Sequence, residues 1–293
     1  MNGSFFKVFD RVVSKSERIF LPSRLNAYLD DAPFLPLVEP LVHFVIPLFA
    51  KEHAPDWGVV CKNLAQTLKA LEVQSDGRWR ATIVCQDLPD AVDISERIGF
   101  LRFPVTFAPG EMDKSAKLRF FHRTLAKNRA EDSYVFLLDA DDIPHPHLVQ
   151  FICASNNGHG YYLPRGYAKN VATGSISIFG EGKNADDPFH TICGSSHCIR
   201  FAAATPKTSA AWLNNRGPHA SVPDRVRDFG MELEPVPFPG MIYLFNHGSN
   251  VQIIKRHAPR KIQLIEDTRL PHEQYAQIYE AFGLKDNATG AAG

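Results

Sequence analysis

Short apolar runs alternate with longer amphipathic stretches through the first half of the chain. Each run is short enough for a strand, and the runs cover residues 42–49, 80–87, 102–107 and 134–138. Amphipathic stretches with apolar residues at helical spacing follow Asp56 and Asp113, which are suited to begin helices. This strand–helix alternation predicts an α/β fold with a parallel sheet and right-handed crossovers.

The pattern changes after a predicted helix at 145–155. Strand-like runs cover residues 161–167, 175–179, 192–201 and 236–245, and helical patches cover 221–229, 250–257 and 271–282. The first two of these runs predict a hairpin that turns near Gly174. This second half is therefore mixed rather than a continuation of the parallel pattern.

These patterns divide the chain into three segments. Residues 1–40 predict a helical N-terminal extension that ends in a proline-marked lead-in. Residues 41–283 predict one domain, whose halves are 41–156 and 157–283. Residues 284–293 are rich in Gly, Ala and Asn and predict a disordered tail.

Three carboxylates follow the most apolar of the predicted strands. The run at 134–138 leads directly into Asp139, Asp141 and Asp142. Chain continuity puts these residues beyond the carboxyl end of the strand, where open α/β sheets bind ligands. Asp139 and Asp141 are suited to share a divalent cation through oxygen ligands. A polar turn in which Asp142 caps a helix beginning at Pro144 is an alternative that needs no metal.

Composition narrows the class of protein and its compartment. Lys plus Arg equals Asp plus Glu at 32 each, so no excess of basic charge indicates nucleic-acid binding. The five cysteines form no CxxC pair, which favours a reducing, cytoplasmic compartment over a disulfide framework or structural zinc. No apolar run reaches the roughly 18 residues of a membrane span. Phe and basic residues alternate near the N-terminus, which indicates a helix that either docks on the domain or lies at the inner face of a membrane.

Five segments of the first half follow one another in an order that resembles a known family. They are VHFVIPLF at 42–49, a leucine-rich helix, TIVCQD at 82–87, a Lys- and Arg-bearing helix at 113–130, and YVFLLDADD at 134–142. In order and spacing they resemble glycosyltransferases of the GT-A fold, especially the family-two type of bacterial polysaccharide synthesis. The resemblance covers about two-fifths of the chain, roughly 42–156. It implies a Rossmann-like, mostly parallel sheet flanked by helices, with a mixed acceptor-side half at the C-terminus.

The resemblance also implies a donor site for a nucleotide sugar, such as a UDP-, GDP- or dTDP-sugar. Pro47 and Phe49 would line the nucleoside, and Asp87 would bind the base. Asp139 and Asp141 would bind the ribose or sugar and the Mn²⁺ or Mg²⁺ that bridges the diphosphate. The acceptor would be a saccharide or a lipid-linked molecule. The chain departs from the family by having Gln rather than a second acid before Asp87, which makes base recognition the less secure part.

Candidates for the remaining roles come from both halves. A cation for the leaving diphosphate would come from Lys114, Lys117, Arg119 or Arg123, and Lys117 is preferred because it adjoins the apolar helix face. His247 follows an apolar run and is suited either to complete the metal site or to satisfy a turn. The segment 193–197 would present small side chains and N–H groups to the sugar or acceptor, or would form a tight turn.

The base that deprotonates the acceptor is not marked by a clear motif. The preferred candidates are Asp224 and His219. The other acids considered are Glu181, Asp186 and Asp187, and a retaining mechanism is the alternative if no carboxylate qualifies as the base.

Three other functions fit parts of the pattern. A haloacid dehalogenase-type phosphatase would use Asp139 as its nucleophile, although that motif normally lies near the N-terminus. A nucleotidyltransferase would need a glycine-rich loop after the first strand, where the chain has no glycine before Gly58. A non-catalytic carbohydrate-binding relative would share the fold and lack the transfer chemistry.

Overall fold

A computed structural model describes residues 35–90, 92–108, 113–128, 130–246 and 258–284. Residues 1–34 of the predicted extension, His247, the predicted helix at 250–257 and residues 285–293 lie outside the described residues. No helix within the described ranges is both long enough and apolar enough to span a membrane.

Strands and helices alternate along the described chain. The strands are β1 (Val42–Pro47), β2 (Trp79–Cys85), β3 (Ile98–Arg102), β4 (Ser133–Leu137), β5 (Asp142–Pro144), β6 (Gly160–Tyr162), β7 (Gly166–Asn170), β8 (Ile176–Phe179), β9 (His197–Phe201), β10 (Glu234–Pro235) and β11 (Met241–Phe245). The α-helices are α1 (Trp57–Glu72), α2 (Lys114–Lys127), α3 (Leu148–Ser155), α4 (Phe189–Ile192), α5 (Pro206–Asn215), α6 (Val222–Arg225), α7 (Ala258–Asp267) and α8 (Tyr275–Ala281). Short 3₁₀ turns include His219–Ser221 and Val226–Phe229.

The larger sheet confirms the predicted α/β class. Among the described residues it has seven strands in the order β10-β6-β9-β4-β1-β2-β3. The strands from β4 to β3 run parallel, and β9 runs antiparallel to both β4 and β6. β2 and β3 lie on one side of β1 and β4 on the other, so the strand order reverses between β1 and β4. Such a reversal opens a crevice at the carboxyl ends of the strands.

Apolar side chains cover both faces of this sheet. One core cluster includes Phe44, Leu64 and Phe136, and the other includes Val45, Phe121 and Leu137. All five residues of β4 are buried, which explains why residues 134–137 are continuously apolar rather than alternating. Helix α1 begins as predicted, because the carboxylate of Asp56 accepts a hydrogen bond from the Val59 N–H at 3.1 Å.

A second sheet corrects the prediction for the chain after β4. Its described strands lie in the order β5-β11-β7-β8, and β5 pairs antiparallel with β11. Asp142 and Pro144 therefore lie in a strand, and the following helix begins at Leu148 rather than at Pro144. The pairing of Ile143 with Ile242 draws the chain from the large sheet into the small one directly after the acidic residues.

Two other predicted strand positions are wrong. The third strand covers Ile98–Arg102 rather than 102–107, because the apolar residues after it pack against α2 instead of joining the ladder. The predicted strand at 161–167 divides into β6, which pairs with β9, and β7, which pairs with β8 across Gly174. Each piece pairs within a different sheet, which the sequence pattern did not distinguish.

Gly180 and Gly174 offer a matched test of how the two sheets are joined. Both have a left-handed backbone, with φ of 78° and 77° respectively. A Cβ at Gly180 would overlap the carbonyl oxygen of Pro164, whereas a Cβ at Gly174 would meet nothing within 4 Å. We expect Gly174→Ala to cost about 1–2 kcal/mol of unfolding free energy, the backbone penalty alone. Gly180→Ala should cost at least about 3 kcal/mol in urea unfolding; equal losses would contradict the overlap.

A buried histidine links α2 to α5. The Nδ1 atom of His122 lies 2.8 Å from Asn214 Oδ1, and the side chain is 2 % exposed. Burial lowers the pKa of His122 to about 3, although the hydrogen bond with Asn214 opposes this shift and the charge of Arg216 adds to it. The imidazole is therefore neutral in the fold.

This histidine should make stability depend on pH. Between its unfolded pKa of 6.5 and its folded pKa of about 3, the unfolded chain binds a proton that the fold does not. Stability therefore falls as the pH falls below about 6.5, by up to about 1.4 kcal/mol per pH unit from this group. We expect His122→Gln, which keeps an N–H donor for Asn214, to reduce that slope while the slope above pH 7 is unchanged. Identical slopes below pH 6 would exclude this role.

Candidate functional site

The acidic residues after β4 lie at the point where the strand order reverses. The carboxylate of Asp139 is 27 % exposed, and its Oδ1 lies 2.5 Å from Lys114 Nζ at the start of α2. The backbone N–H of Asp139 donates to Ser195 Oγ at 2.8 Å, which fixes the loop against the start of β9. The arrangement places a carboxylate and a cation together at the carboxyl edge of the sheet.

Lys114 is held as a cation by the acids around it. Burial lowers its pKa, but the charge and hydrogen bond of Asp139, together with the charges of Asp141 and Asp142, raise the pKa overall. Lys114 therefore remains protonated beside the carboxylates. Asp141 contributes to this field and is partly buried.

Asp142 differs from the other two acids. Its side chain is fully buried, and its Oδ2 accepts a hydrogen bond from the Cys193 thiol at 3.3 Å. Desolvation, followed by the charges of Asp141 and Asp139, raises the pKa of Asp142 well above its usual value. Asp142 is therefore a buried structural link to Cys193, whereas Asp139 and Asp141 are the partly exposed acids after β4.

The carboxylates of Asp139 and Asp141 are suited to a magnesium or manganese ion that is also bound by oxygen atoms of a substrate. Within the ranges the structure describes, no three or more His, Cys, Asp or Glu side chains are grouped to hold a metal. Asp139 and Asp141 offer two hard oxygen ligands, and Mg²⁺ is usually held by one or two carboxylates plus substrate phosphates and waters. His247, the third predicted ligand, lies outside the described residues.

The predicted nucleoside-binding residues lie at the same edge of the sheet. Pro47 ends β1, and the carbonyl oxygen of Phe49 accepts from the Cys85 thiol at 3.0 Å. Asp87 follows β2, and its Oδ2 accepts from the Lys51 N–H at 3.1 Å. The structure therefore brings Pro47, Phe49 and Asp87 to neighbouring strand ends.

Gln86, which stands where the family has a second acid, makes structural hydrogen bonds through its side-chain amide. Its Nε2 donates to the carbonyl oxygen of Val105 at 3.0 Å and to Asp113 Oδ2 at 3.1 Å. The amide thereby holds the segment after β3 against the start of α2.

The preferred cation of the sequence analysis has a different partner from the one expected. Lys117 is fully buried, and its Nζ lies 2.5 Å from both Asp113 Oδ2 and the Leu48 carbonyl oxygen. It therefore ties α2 to the end of β1. Lys114, nearly one turn earlier, is the cation beside Asp139. Proximity to the apolar helix face favoured Lys117, and the same proximity removes it from solvent.

One segment, residues 189–197, contacts the acidic residues after β4 and three basic side chains, and we call it the central segment. Its Ser195 and Gly194 face Asp139, because a Cβ at Gly194 would lie 3.4 Å from Asp139 Oδ2. The small residues Gly194 and Ser195 thus lie against Asp139, and the role of segment 193–197 toward the sugar or acceptor stays a prediction.

Three basic side chains also attach to the central segment. They are His219, whose Nδ1 lies 2.7 Å from the His190 carbonyl oxygen, Lys261, whose Nζ donates to the Ile192 carbonyl oxygen at 2.9 Å, and Arg216, whose Nη1 lies 2.7 Å from His197 Nε2. Arg216 and Lys261 were not candidates in the sequence analysis, because neither lies in a motif and each comes from a different helix region.

The two predicted catalytic bases lie in different settings. His219 is partly buried, and burial lowers its pKa, while the charges of Lys261 and Lys114 add to the effect and Asp139 opposes it. Asp224 lies on α6 with its side chain 78 % exposed and in a 2.9 Å ion pair with Arg227. The structure therefore brings His219, rather than Asp224, into the electrostatic reach of Asp139.

Comparisons with known proteins leave the family open. No family model matches the chain, and no curated protein matches it. Among solved structures, the chain is similar to Rv0371c from Mycobacterium tuberculosis H37Rv, with 11 % sequence identity, a TM-score of 0.39, and coverage of 74 % of this chain and 97 % of that one. A similarity this low supports no inference about fold or function.

Proposed function

We propose that this protein is a metal-dependent glycosyltransferase that moves a sugar from a nucleotide-diphosphate donor to a saccharide or lipid-linked acceptor. The observation that supports it is the grouping of Asp139, Asp141 and Lys114 at the carboxyl end of β4, where the strand order reverses. Carboxylates for a cation and a lysine for an anion are what a bound diphosphate requires. The motif resemblance to GT-A enzymes supplies the reaction class.

Each group has a chemical role in this proposal. Asp139 and Asp141 would hold Mn²⁺ or Mg²⁺, which would neutralise the diphosphate as it leaves. Lys114 would stabilise the additional negative charge on the leaving oxygen. Pro47, Phe49 and Asp87 would lie along the nucleoside.

His219 is the better placed of the two candidate bases. If its Nδ1–H donates to the His190 carbonyl oxygen, the lone pair of Nε2 is left to accept a proton from the acceptor hydroxyl. Its lowered pKa favours the neutral imidazole that this role needs. Asp224, exposed and paired with Arg227, offers no comparable orientation.

A thermal-shift screen tests the donor. We expect one nucleotide sugar among UDP-, GDP- and dTDP-sugars to raise the Tm with Mn²⁺ or Mg²⁺ and to have little effect with EDTA, since only ligands of the folded state stabilise it. Slow metal-dependent release of free nucleoside diphosphate would identify a transferase. Release of inorganic phosphate that depends on Asp139 would instead identify a phosphatase, and binding of free saccharides alone would identify a non-catalytic relative.

A further inference from the structure

Two cations on the acceptor-side half have no carboxylate as a hydrogen-bond partner among the residues that the structure describes. Arg216 follows α5 and Lys261 lies on α7, so they reach the central segment from separate helices. Arg216 bonds to an imidazole nitrogen of His197, and Lys261 donates to the backbone carbonyl oxygen of Ile192. Both acceptors are neutral. Burying cations among neutral acceptors is costly unless an anion joins them.

Arg216 keeps its positive charge in this setting. Packing lowers its pKa to about 10, and the charge of Asp139 opposes the shift. A guanidinium has five N–H donors in a planar fork that matches a carboxylate or phosphate. Its contact with His197 occupies one nitrogen, and His197 is itself 2 % exposed, which holds the guanidinium in place. The charge of Asp139 acts on Arg216, and the Oδ1 atom of Asp139 lies 2.5 Å from Lys114.

Lys261 is held by aromatic rings and a carbonyl oxygen rather than by a hydrogen-bonded acid, and burial lowers its pKa while the charges of Cys193 and Asp142 oppose that shift. Its Nζ lies 5.0 Å from the ring centroid of Tyr243 and 5.6 Å from that of Phe245. A second contact, to the Ile192 carbonyl oxygen, places the ammonium group on the central segment near His219. Aromatic faces orient a cation without neutralising it.

The charges of the site leave room for a second anion. Of the three described cations that contact Asp139 or the central segment, Lys114, Arg216 and Lys261, only Lys114 has a carboxylate as a hydrogen-bond partner in the described structure. A divalent metal and a nucleotide-sugar diphosphate, which carries about two negative charges, cancel each other. Arg216 and Lys261 therefore remain on the acceptor-side half as cations without a hydrogen-bonded carboxylate among the described residues.

We propose that Arg216 and Lys261 form a subsite for an anionic group, a phosphate or a carboxylate, carried by the acceptor, and that this subsite directs the acceptor hydroxyl toward His219. The inference rests on the proposed function, because it assumes that the donor diphosphate lies at Asp139 and Asp141. It narrows the acceptor to a charged molecule, such as a phosphorylated lipid carrier or an acidic saccharide.

Inorganic phosphate is the probe for this subsite. We expect the wild-type protein to bind phosphate without metal in a calorimetric titration, and to bind it equally when Mn²⁺ and the nucleoside diphosphate found in the thermal screen are present. Arg216→Gln and Lys261→Gln should each weaken phosphate binding by about tenfold. Arg80→Gln is the matched control, because Arg80 pairs with Glu131 near the start of β2, at the opposite end of the strand from the site.

Two results would overturn the subsite. The first is phosphate affinity that is absent, or is unchanged in both variants. The second is competition between phosphate and the metal–nucleotide complex, which would assign Arg216 and Lys261 to the donor. Arg216→Lys, which keeps the charge and loses the planar fork, guards against a variant that fails to fold, and should show an intermediate loss.

The same titrations separate this inference from the proposed function. If the subsite is wrong, metal-dependent nucleotide binding persists in every variant while phosphate binding is absent or unchanged. If the donor site is wrong, nucleotide binding fails in the wild type while phosphate still depends on Arg216.

Discussion

Replacing Asp141 by Ala is expected to abolish metal-dependent donor binding while leaving the fold intact. Among the described acids after β4, Asp139 and Asp141 are the ones open to a cation, because Asp142 is fully buried and its carboxylate accepts from the Cys193 thiol. Removing one of two protein ligands should weaken Mn²⁺ binding by more than about 100-fold, beyond the loss typical of groups that only support a ligand. Calorimetry with Mn²⁺ and the nucleotide sugar measures the effect.

The control for this experiment is Glu72→Gln. Glu72 is an exposed acid at the far end of α1, so its loss removes one negative charge without touching the site. Its Mn²⁺-dependent binding should equal that of the wild type, and both variants should keep the wild-type circular dichroism. Undiminished binding by Asp141→Ala would remove the metal role from this residue.

Replacing Lys114 by Met is expected to separate turnover from metal affinity. Lys114 competes with a metal for Asp139, since its Nζ already lies 2.5 Å from Oδ1. Its removal should therefore strengthen Mn²⁺ binding. The transfer rate should nevertheless fall by about 10²–10³-fold, because a preorganised donor to the leaving group is lost. Steady-state kinetics and a Mn²⁺ titration of the same variant report the two effects.

Lys127→Met is the matched control for Lys114→Met. Lys127 is exposed in the last turn of the same helix, α2, and should change neither quantity. An unaltered transfer rate in Lys114→Met, or weaker Mn²⁺ binding, would exclude the proposed role. Lys117 is unsuitable as a control, because its burial against Leu48 makes a loss of stability the expected result.

Much of the first half of the fold follows from local sequence. The apolar runs locate β1, β2 and β4, and Asp56 caps α1 as predicted. The third strand is misplaced because the apolar pattern continues past the end of the ladder, where Phe103 and Phe107 pack together with ring centroids 6.2 Å apart. A residue that packs on a helix and one that packs from a strand are equally apolar, so the pattern does not separate them.

The candidate site was predictable only in part. Chain continuity from a buried strand places Asp139 and Asp141 at the carboxyl edge of the sheet, and the structure has them there. The roles of Asp142 and Lys114 depend on which neighbours surround them. The acids after β4 look alike in sequence, and so do Lys114 and Lys117 on one helix. In the fold, burial raises the pKa of Asp142. Burial also removes Lys117, rather than Lys114, from solvent.

The sequence by itself determined the α/β class, the order of the first strands and the position of the acids, because these depend on hydrophobic period and chain continuity. The tertiary structure alone decided which groups meet Asp139. The central segment gathers Lys261 and Arg216 from separate helices by single hydrogen bonds, and no local pattern encodes contacts between residues 19 and 69 positions apart. Electrostatic environment depends on distance in space, so it emerges only when the chain is folded.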